Sequence, residues 1–303
     1  MAKSQYTKNV YSIFMLFTVI FTANISLHAQ PNLQPLGENI ADQGSAYYQF
    51  KIQKFQSIDQ KRTYKVWLGI PKQSILHPQA AIFMLDGNSV MARLNDEILK
   101  DLSQNSAPIL VAIGYDTNLP FETKSRSLDY TPADETGKIQ PDPRQPERLT
   151  GGSVQFRELI LEQIKPWVSQ QIQLDPQRTA LWGHSYGGLF VLDSFIHSNA
   201  FSHYFAASPS LSWAEQRVFK SLNNAPSHRV ENKKLVIMEG DISSEQGQKQ
   251  SQNFNVELIE NNRQVIQILA AKKAQTKLVL YPNLSHGEVF QASLMDVLSN
   301  RLF

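Results

Sequence analysis

Residues 47–55 and 62–70 alternate apolar and polar side chains, with Tyr64, Val66, Leu68 and Ile70 on one side of the second stretch. Period two predicts two half-buried strands, paired antiparallel at a sheet edge. Residues 80–85 and 108–113 show no such alternation; both are continuous apolar runs. Strands of a parallel sheet are covered on both faces and read in this way. Shorter apolar stretches at 179–182, 204–207, 234–238 and 276–281 predict further strands. Between these stretches the apolar spacing becomes helical, at 90–102, 156–168, 185–197, 254–273 and 290–302. Pro166 falls inside the second of these helices and is expected to bend it. Residues 115–150 are rich in Pro, Thr, Asp and Arg with little periodicity, which predicts a long loop. Strands alternating with helices place the chain in the α/β class, as one domain with a mostly parallel central sheet and helices on both faces.

The N-terminal pattern is different. Lys3 and Lys8 precede an apolar stretch at 13–21, polar residues return at Asn24, and Ala29 stands before Gln30. This is the layout of a secretory signal, and it predicts export. Leu27 is large for its place two residues before Ala29, so an uncleaved anchor is the alternative, although the stretch is short of the roughly 20 apolar residues a span needs. The expected organisation is a signal or anchor at 1–29, a linker at 30–45 carrying Pro31, Pro35 and Gly37, and the α/β domain at 46–303. The membrane is a partner only if the first segment stays attached.

Composition narrows the chemistry. The 303 residues are 42% hydrophobic and 18% charged, enough for a real core. A formal charge of +2 gives no support to nucleic-acid binding. The chain has no cysteine, which excludes disulfides, thiol catalysis and cysteine-ligated zinc. Its seven histidines show no H-E-x-x-H spacing, so no metal site is expected. Gly151-Gly152-Ser153 reads as a helix start and not as a phosphate loop.

The candidate chemistry centres on Gly183-His184-Ser185-Tyr186-Gly187. Strand before and helix after make this G-x-S-x-G a sharp turn that lifts the serine hydroxyl out of the fold. Serine needs a base to take its proton. His286 follows the last strand, and loops after parallel strands converge on one sheet edge. Ser185, Asp86, Asp241 and His286 all follow strands and are expected to meet there. Tyr186 N–H and the turn Asp86-Gly87-Asn88-Ser89 are the expected oxyanion donors, from Tyr186 on one side and Gly87 and Asn88 on the other. Asp86 shapes that turn or touches substrate. Asp241 is the candidate acid, with Glu239 and Glu245 behind it; the alternative is a Ser–His dyad. His184 is expected to point away from the nucleophile and to pack. The blander account makes Ser185 and His286 simple helix caps.

With these residues in view, Gly183–Phe190, Ala207-Ser208-Pro209-Ser210-Leu211 and Tyr281-Pro282-Asn283-Leu284-Ser285-His286-Gly287 resemble the putative-esterase branch of the α/β-hydrolases. More narrowly they are similar to the periplasmic trilactone esterases of enterobactin and salmochelin. Met84–Asn88, Ser125–Pro132 and Met238-Glu239-Gly240 add to the match, which runs from about residue 40 to the C-terminus. The resemblance implies a periplasmic serine esterase acting on a serine-trilactone siderophore, iron-loaded or iron-free, with no cofactor. It maps Ser185 and His286 onto nucleophile and base, and implies a dyad in which Asp241 has no counterpart. It associates Arg126 with substrate binding, a role that suits a guanidinium facing a catecholate; the alternative is an ion pair with Asp129 or Glu122. A general or feruloyl carboxylesterase, a siderophore-binding protein without activity, and an acyl transferase remain as rivals.

Overall fold

The computed structural model describes residues 34–73, 77–105, 107–242 and 256–299. The expected signal or anchor at 1–29 and the candidate Glu245 lie outside the described residues. Within the expected linker, Asn39 and Asp42 form a capping box around a one-turn helix, α1 (Ile40–Gln43). Strands β1 (Tyr48–Gln56) and β2 (Thr63–Pro71) then pair antiparallel. β3 (Gln79–Met84), α2 (Gly87–Met91), α3 (Asp96–Gln104) and β4 (Ile109–Tyr115) follow. The insert holds α4 (Thr123–Tyr130) and a two-residue ribbon of β5 (Gln140–Pro141) with β6 (Leu149–Thr150). Next come α5 (Ser153–Leu159), α6 (Lys165–Gln171), β7 (Leu174–His184), α7 (Tyr186–His197) and β8 (His203–Ala207). α8 (Arg217–Asn224), β9 (Lys234–Ile242), α9 (Val256–Ala271), β10 (Gln275–Ser285) and α10 (Val289–Leu298) complete the trace.

Eight strands form one sheet in the order β1-β2-β4-β3-β7-β8-β9-β10. β2 runs antiparallel to β1 and β4; the remaining neighbours are parallel. This is the expected α/β architecture, and its apolar runs conceal a period of two. Phe83, Val111, Leu181, Tyr204 and Ile237 feed one core, under α5 to α9. Met84, Ala112, Trp182, Phe205 and Met238 feed a second, under α1, α2, α3 and α10. Successive side chains leave opposite faces, so a strand covered twice must be apolar throughout.

Three local departures have physical reasons. α4 lies in a stretch expected to be loop because two of its four buried residues are polar: Ser127 and Asp129 sit inside beside Leu128 and Tyr130. Tyr64 and Tyr115 hydroxyls donate to Asp129 Oδ2 at 2.9 and 3.1 Å, so burial there does not follow hydrophobicity. The bend expected at Pro166 is a π-helical turn, Ile160–Ile164, placed just before it. A wider turn accommodates a residue without an N–H, whose ring crowds the carbonyl four positions back. β10 continues beyond the expected 276–281 to Ser285, with a break in register after Tyr281.

Candidate active site

β7 ends at His184, and α7 begins at Tyr186, leaving Ser185 alone at the turn. Its backbone has φ +60° and ψ −114°, a conformation that a non-glycine residue adopts only when its surroundings fix it. The surroundings here are tight. A Cβ on Gly183 would come within 2.6 Å of Gly187 C, and one on Gly188 within 2.8 Å of Ala207 O. Gly187 has ordinary room, its nearest neighbour being 3.6 Å away. Ser185 N–H donates to Ala207 O at 2.9 Å, tying the turn to β8. The hydroxyl is left half-buried at the sheet edge.

His286 arrives on the loop after β10. Its Nε2 lies 3.2 Å from Ser185 Oγ, across 101 residues of chain. A hydroxyl hydrogen-bonded to a neutral imidazole is the arrangement that general-base activation of serine requires. The loop is held at three points. His184 Nε2–H donates to His286 O at 2.7 Å. Ser285 N–H and Oγ donate to Glu288 Oε2 at 2.8 and 2.6 Å. Asn283 N–H donates to Asp241 Oδ1 at 2.7 Å. His184 does pack, its ring 5.4 Å from that of Phe290, but it also points at the His286 loop. Burial, and then the neighbouring His286, hold its imidazole well below the usual histidine range, so it stays neutral.

Asp241 is placed differently from the candidate acid. Among the described residues no hydrogen bond or ion pair joins it to His286; its carboxylate caps the irregular backbone at Asn283, where φ is +61°. β9 and β10 run side by side here, Gly240 opposite Tyr281, and the extra residues of the β10 irregularity bring the Asn283 N–H to Asp241 first. Gly240 makes that approach possible, since a Cβ there would overlap Leu284 O. Glu239 is also occupied elsewhere. It is buried, and it accepts from Ser208 Oγ at 2.7 Å and Asn262 Nδ2 at 2.9 Å.

The turn after β3 lies beside the Ser185 turn, because β3 is the parallel neighbour of β7. Gly87 presses on β4, where a Cβ would lie 2.6 Å from Ile113 C. The Asn88 side chain is fully engaged: Nδ2 donates to Tyr115 O and Thr117 O at 3.0 and 2.8 Å, and Oδ1 accepts from Tyr115 N–H at 2.8 Å. These bonds fix the backbone of the turn, whose N–H groups begin α2 as that of Tyr186 begins α7. Asp86 sits at φ +53° and is buried. Its two oxygens accept from Arg126 Nε and Nη2, each at 2.9 Å. The ion pair of Arg126 is therefore with Asp86; Asp129 is taken by Arg62 and the two tyrosines, and Glu122 caps α4. Phe121, Tyr130 and Tyr186 surround the guanidinium, with ring centroids 5.4 to 5.8 Å from its carbon.

Two further groups border the site: Arg93, which has no sequence signal, and Ser210, which stands in the Ala207–Leu211 stretch quoted above but was given no role there. Arg93 lies 4.4 Å over the Phe290 ring and donates to Ser89 O and Oγ; burial lowers its pKa. Ser210 Oγ lies 3.2 Å from Ser185 Oγ. Neither stands in a pattern of period or spacing; both are brought in by packing.

Comparison with known proteins gives these distances a context. The model of the family described as Putative esterase matches residues 56–300. The chain is 40% identical over 292 residues to the apo-salmochelin esterase of Escherichia coli O6:H1, covering 96% of this chain and 90% of that one. It is 31% identical over 223 residues to the ferri-bacillibactin esterase BesA of Bacillus subtilis, covering 68% and 74%. Among solved structures, the enterobactin and salmochelin hydrolase IroE superposes with a TM-score of 0.74 at 38% identity, covering 86% of this chain and 98% of that one. A family model that spans most of the chain, on a fold that brings a turn serine to a loop histidine, places this protein in the esterase family of the α/β-hydrolases.

Proposed function

We propose that this esterase hydrolyses the ester bonds of a siderophore backbone built from N-acylated serines, through an acyl-enzyme on Ser185. One observation carries the catalytic part: the 3.2 Å contact between Ser185 Oγ and His286 Nε2. The substrate class is supported by relatives whose names specify salmochelin and bacillibactin. His286 takes the Ser185 proton as Oγ bonds to the ester carbonyl carbon. The N–H groups of Tyr186 and of the Gly87–Asn88 turn receive the oxyanion. His286 passes the proton to the departing serine alkoxide, and water then releases the acyl group by the same steps. Asp241 secures the loop that carries the base, through the Asn283 N–H. Arg126 braces Asp86 and turns its remaining Nη1 and its aromatic surround towards the acyl groups of the substrate. Residues 1–29 direct export to the periplasm, and residues 46–303 hold the catalytic domain. Among the described residues no helix is long and apolar enough to cross a membrane.

The test is mass spectrometry of products after incubation with cyclic and linear catecholate siderophores, iron-free and iron-loaded, beside short p-nitrophenyl esters. Cleavage of the siderophores to shorter acyl-serines, lost in Ser185→Ala, is the expected result. Turnover of the p-nitrophenyl esters alone would assign a general carboxylesterase.

A further inference from the structure

Among the described residues the Ser185 oxygen has two side-chain hydrogen-bond partners. His286 Nε2 and Ser210 Oγ both lie 3.2 Å from it. We propose that Ser210 is a further catalytic residue, whose hydroxyl donates to Ser185 Oγ, directs the Ser185 proton to His286 and steadies the charge that builds on that oxygen. This rests on the reading of Ser185 as nucleophile given above.

Ser185 has one proton and two directions in which to send it. Sent to Ser210, it leaves the nucleophile idle; sent to His286, it leaves the nucleophile poised. Ser210 also has one proton, and among the described residues Ser185 Oγ is the acceptor within its reach. With the Ser210 proton spent on Ser185, the proton of Ser185 is left for His286. A hydroxyl donor gains strength when its acceptor becomes charged, so the same contact favours the transition state over the resting state.

The position of Ser210 is set by buried groups that the reaction does not otherwise use. Its N–H donates to Ser185 O at 3.3 Å. Ser208, held at φ +38°, donates its N–H to Met238 O and its hydroxyl to Glu239 Oε1, each at 2.7 Å. Asn262 on α9 holds the other oxygen of Glu239 at 2.9 Å. Pro209 leaves no space for a Cβ at Gly188, 3.1 Å from its Cα. A chain of fixed contacts thus runs from α9 through β9 to the hydroxyl beside the nucleophile, and this is how a donor is held ready without reorganising during reaction.

In acylation the Oγ–carbon bond forms as the carbonyl electron pair moves to its oxygen. The Ser185 proton passes to His286 and then to the leaving alkoxide. Ser210 keeps its own proton throughout.

The test isolates the nucleophile from substrate binding. A small uncharged fluorophosphate reacts by forming an Oγ–phosphorus bond, losing fluoride and passing the Ser185 proton to His286. Ser210→Ala should lower its second-order rate constant by about five- to tenfold, whereas Ser210→Thr, which keeps the hydroxyl, should stay within about twofold of the parent. The dissociation constant for an ester substrate should not move in either variant. A rate constant belongs to each folded molecule, so partial loss of fold cannot imitate the effect. Ser210→Ala reacting at the parent rate, or Ser210→Thr as slow as Ser210→Ala, overturns the proposal. Labelling of Ser185→Ala would sink the reading of Ser185 itself, a different failure.

Discussion

At the scale of single residues, the site separates groups that do chemistry from groups that hold them. On the function proposed above Asp241 belongs to the second kind, and its substitutions distinguish the two. Asn at 241 keeps an oxygen that can accept the Asn283 N–H. Asp241→Asn should therefore retain most of the parent kcat, where loss of the acid from a strict triad costs about 10⁴-fold. Asp241→Ala removes the acceptor and should lower stability by about 1 kcal/mol, read from urea unfolding. A large loss of kcat in the Asn variant would restore the triad. Arg126 and Asp86 make the opposite case. Both are largely buried and bidentate, so Arg126→Met leaves a carboxylate desolvated and unpaired. That should cost about 3–5 kcal/mol, and adding Asp86→Asn should recover part of it. Asn is suited to the position because it tolerates the left-handed backbone at 86. A double variant no more stable than Arg126→Met alone would show that the pair is not what holds the turn.

Elements meet at the buried carboxylate of Glu239, where β9, α9 and the loop after β8 converge. Burial raises its pKa above the ordinary glutamate value, although Ser208, Asn262 and the Gly240 N–H pull the other way. The folded protein thus keeps this proton to higher pH than the unfolded chain does. Native protein binding the extra proton means that stability contributed by this group falls as pH rises from the ordinary glutamate value through the raised one. Glu239→Gln removes the ionisation. The Oδ1 of Asn262 is buried without a partner among the described residues, so an amide flip there offers an acceptor to the new Gln. Relative to the parent, Glu239→Gln should gain stability between pH 4 and pH 7, measured as the difference in urea midpoint. A difference that does not change with pH would mean that burial is not dominating the carboxylate. His184 works between elements in a similar way, on β7 with the loop after β10 in its grasp. Its neutral ring cannot be the group that sets the acid limb of activity. His184→Gln should lower kcat while leaving the pH of that limb in place; a shifted limb would give His184 a titrating role.

For the whole molecule, what the sequence revealed depended on how far apart the cooperating residues are. The sheet was legible because each buried strand carries its own apolar run, and Ser185 with His286 because each stands in a local pattern after a strand. Arg93 was not legible, and Ser210 stood in a quoted stretch without a role, since their places beside the site come from packing between elements distant in sequence. The candidate acid shows a related limit: position in the chain order does not say whether a carboxylate meets an imidazole or a nearer backbone N–H. The stretch read as linker shows the same limit. Ile40 is buried in the core under α2, α3 and α10, with Ala41 packed against it, although Glu38, Asn39, Asp42 and Gln43 around them are polar. Ser45 Oγ donates to Asp96 Oδ1 at 2.5 Å, at the first residue of α3, and Lys72 Nζ donates to Ser45 O. Leu36 N–H donates to Asn118 O, next to the Thr117 carbonyl that receives Asn88. Residues 36–45 are therefore part of the face that supports the turn after β3, and not only a tether. Ile40→Ala should cost about 2 kcal/mol, and Ser45→Ala about 1 to 2 kcal/mol because its acceptor is a carboxylate. Both sit outside the chemistry, so turnover per folded molecule should be unchanged while the urea midpoint falls. A parent-like midpoint in both variants would return the stretch to the status of a linker.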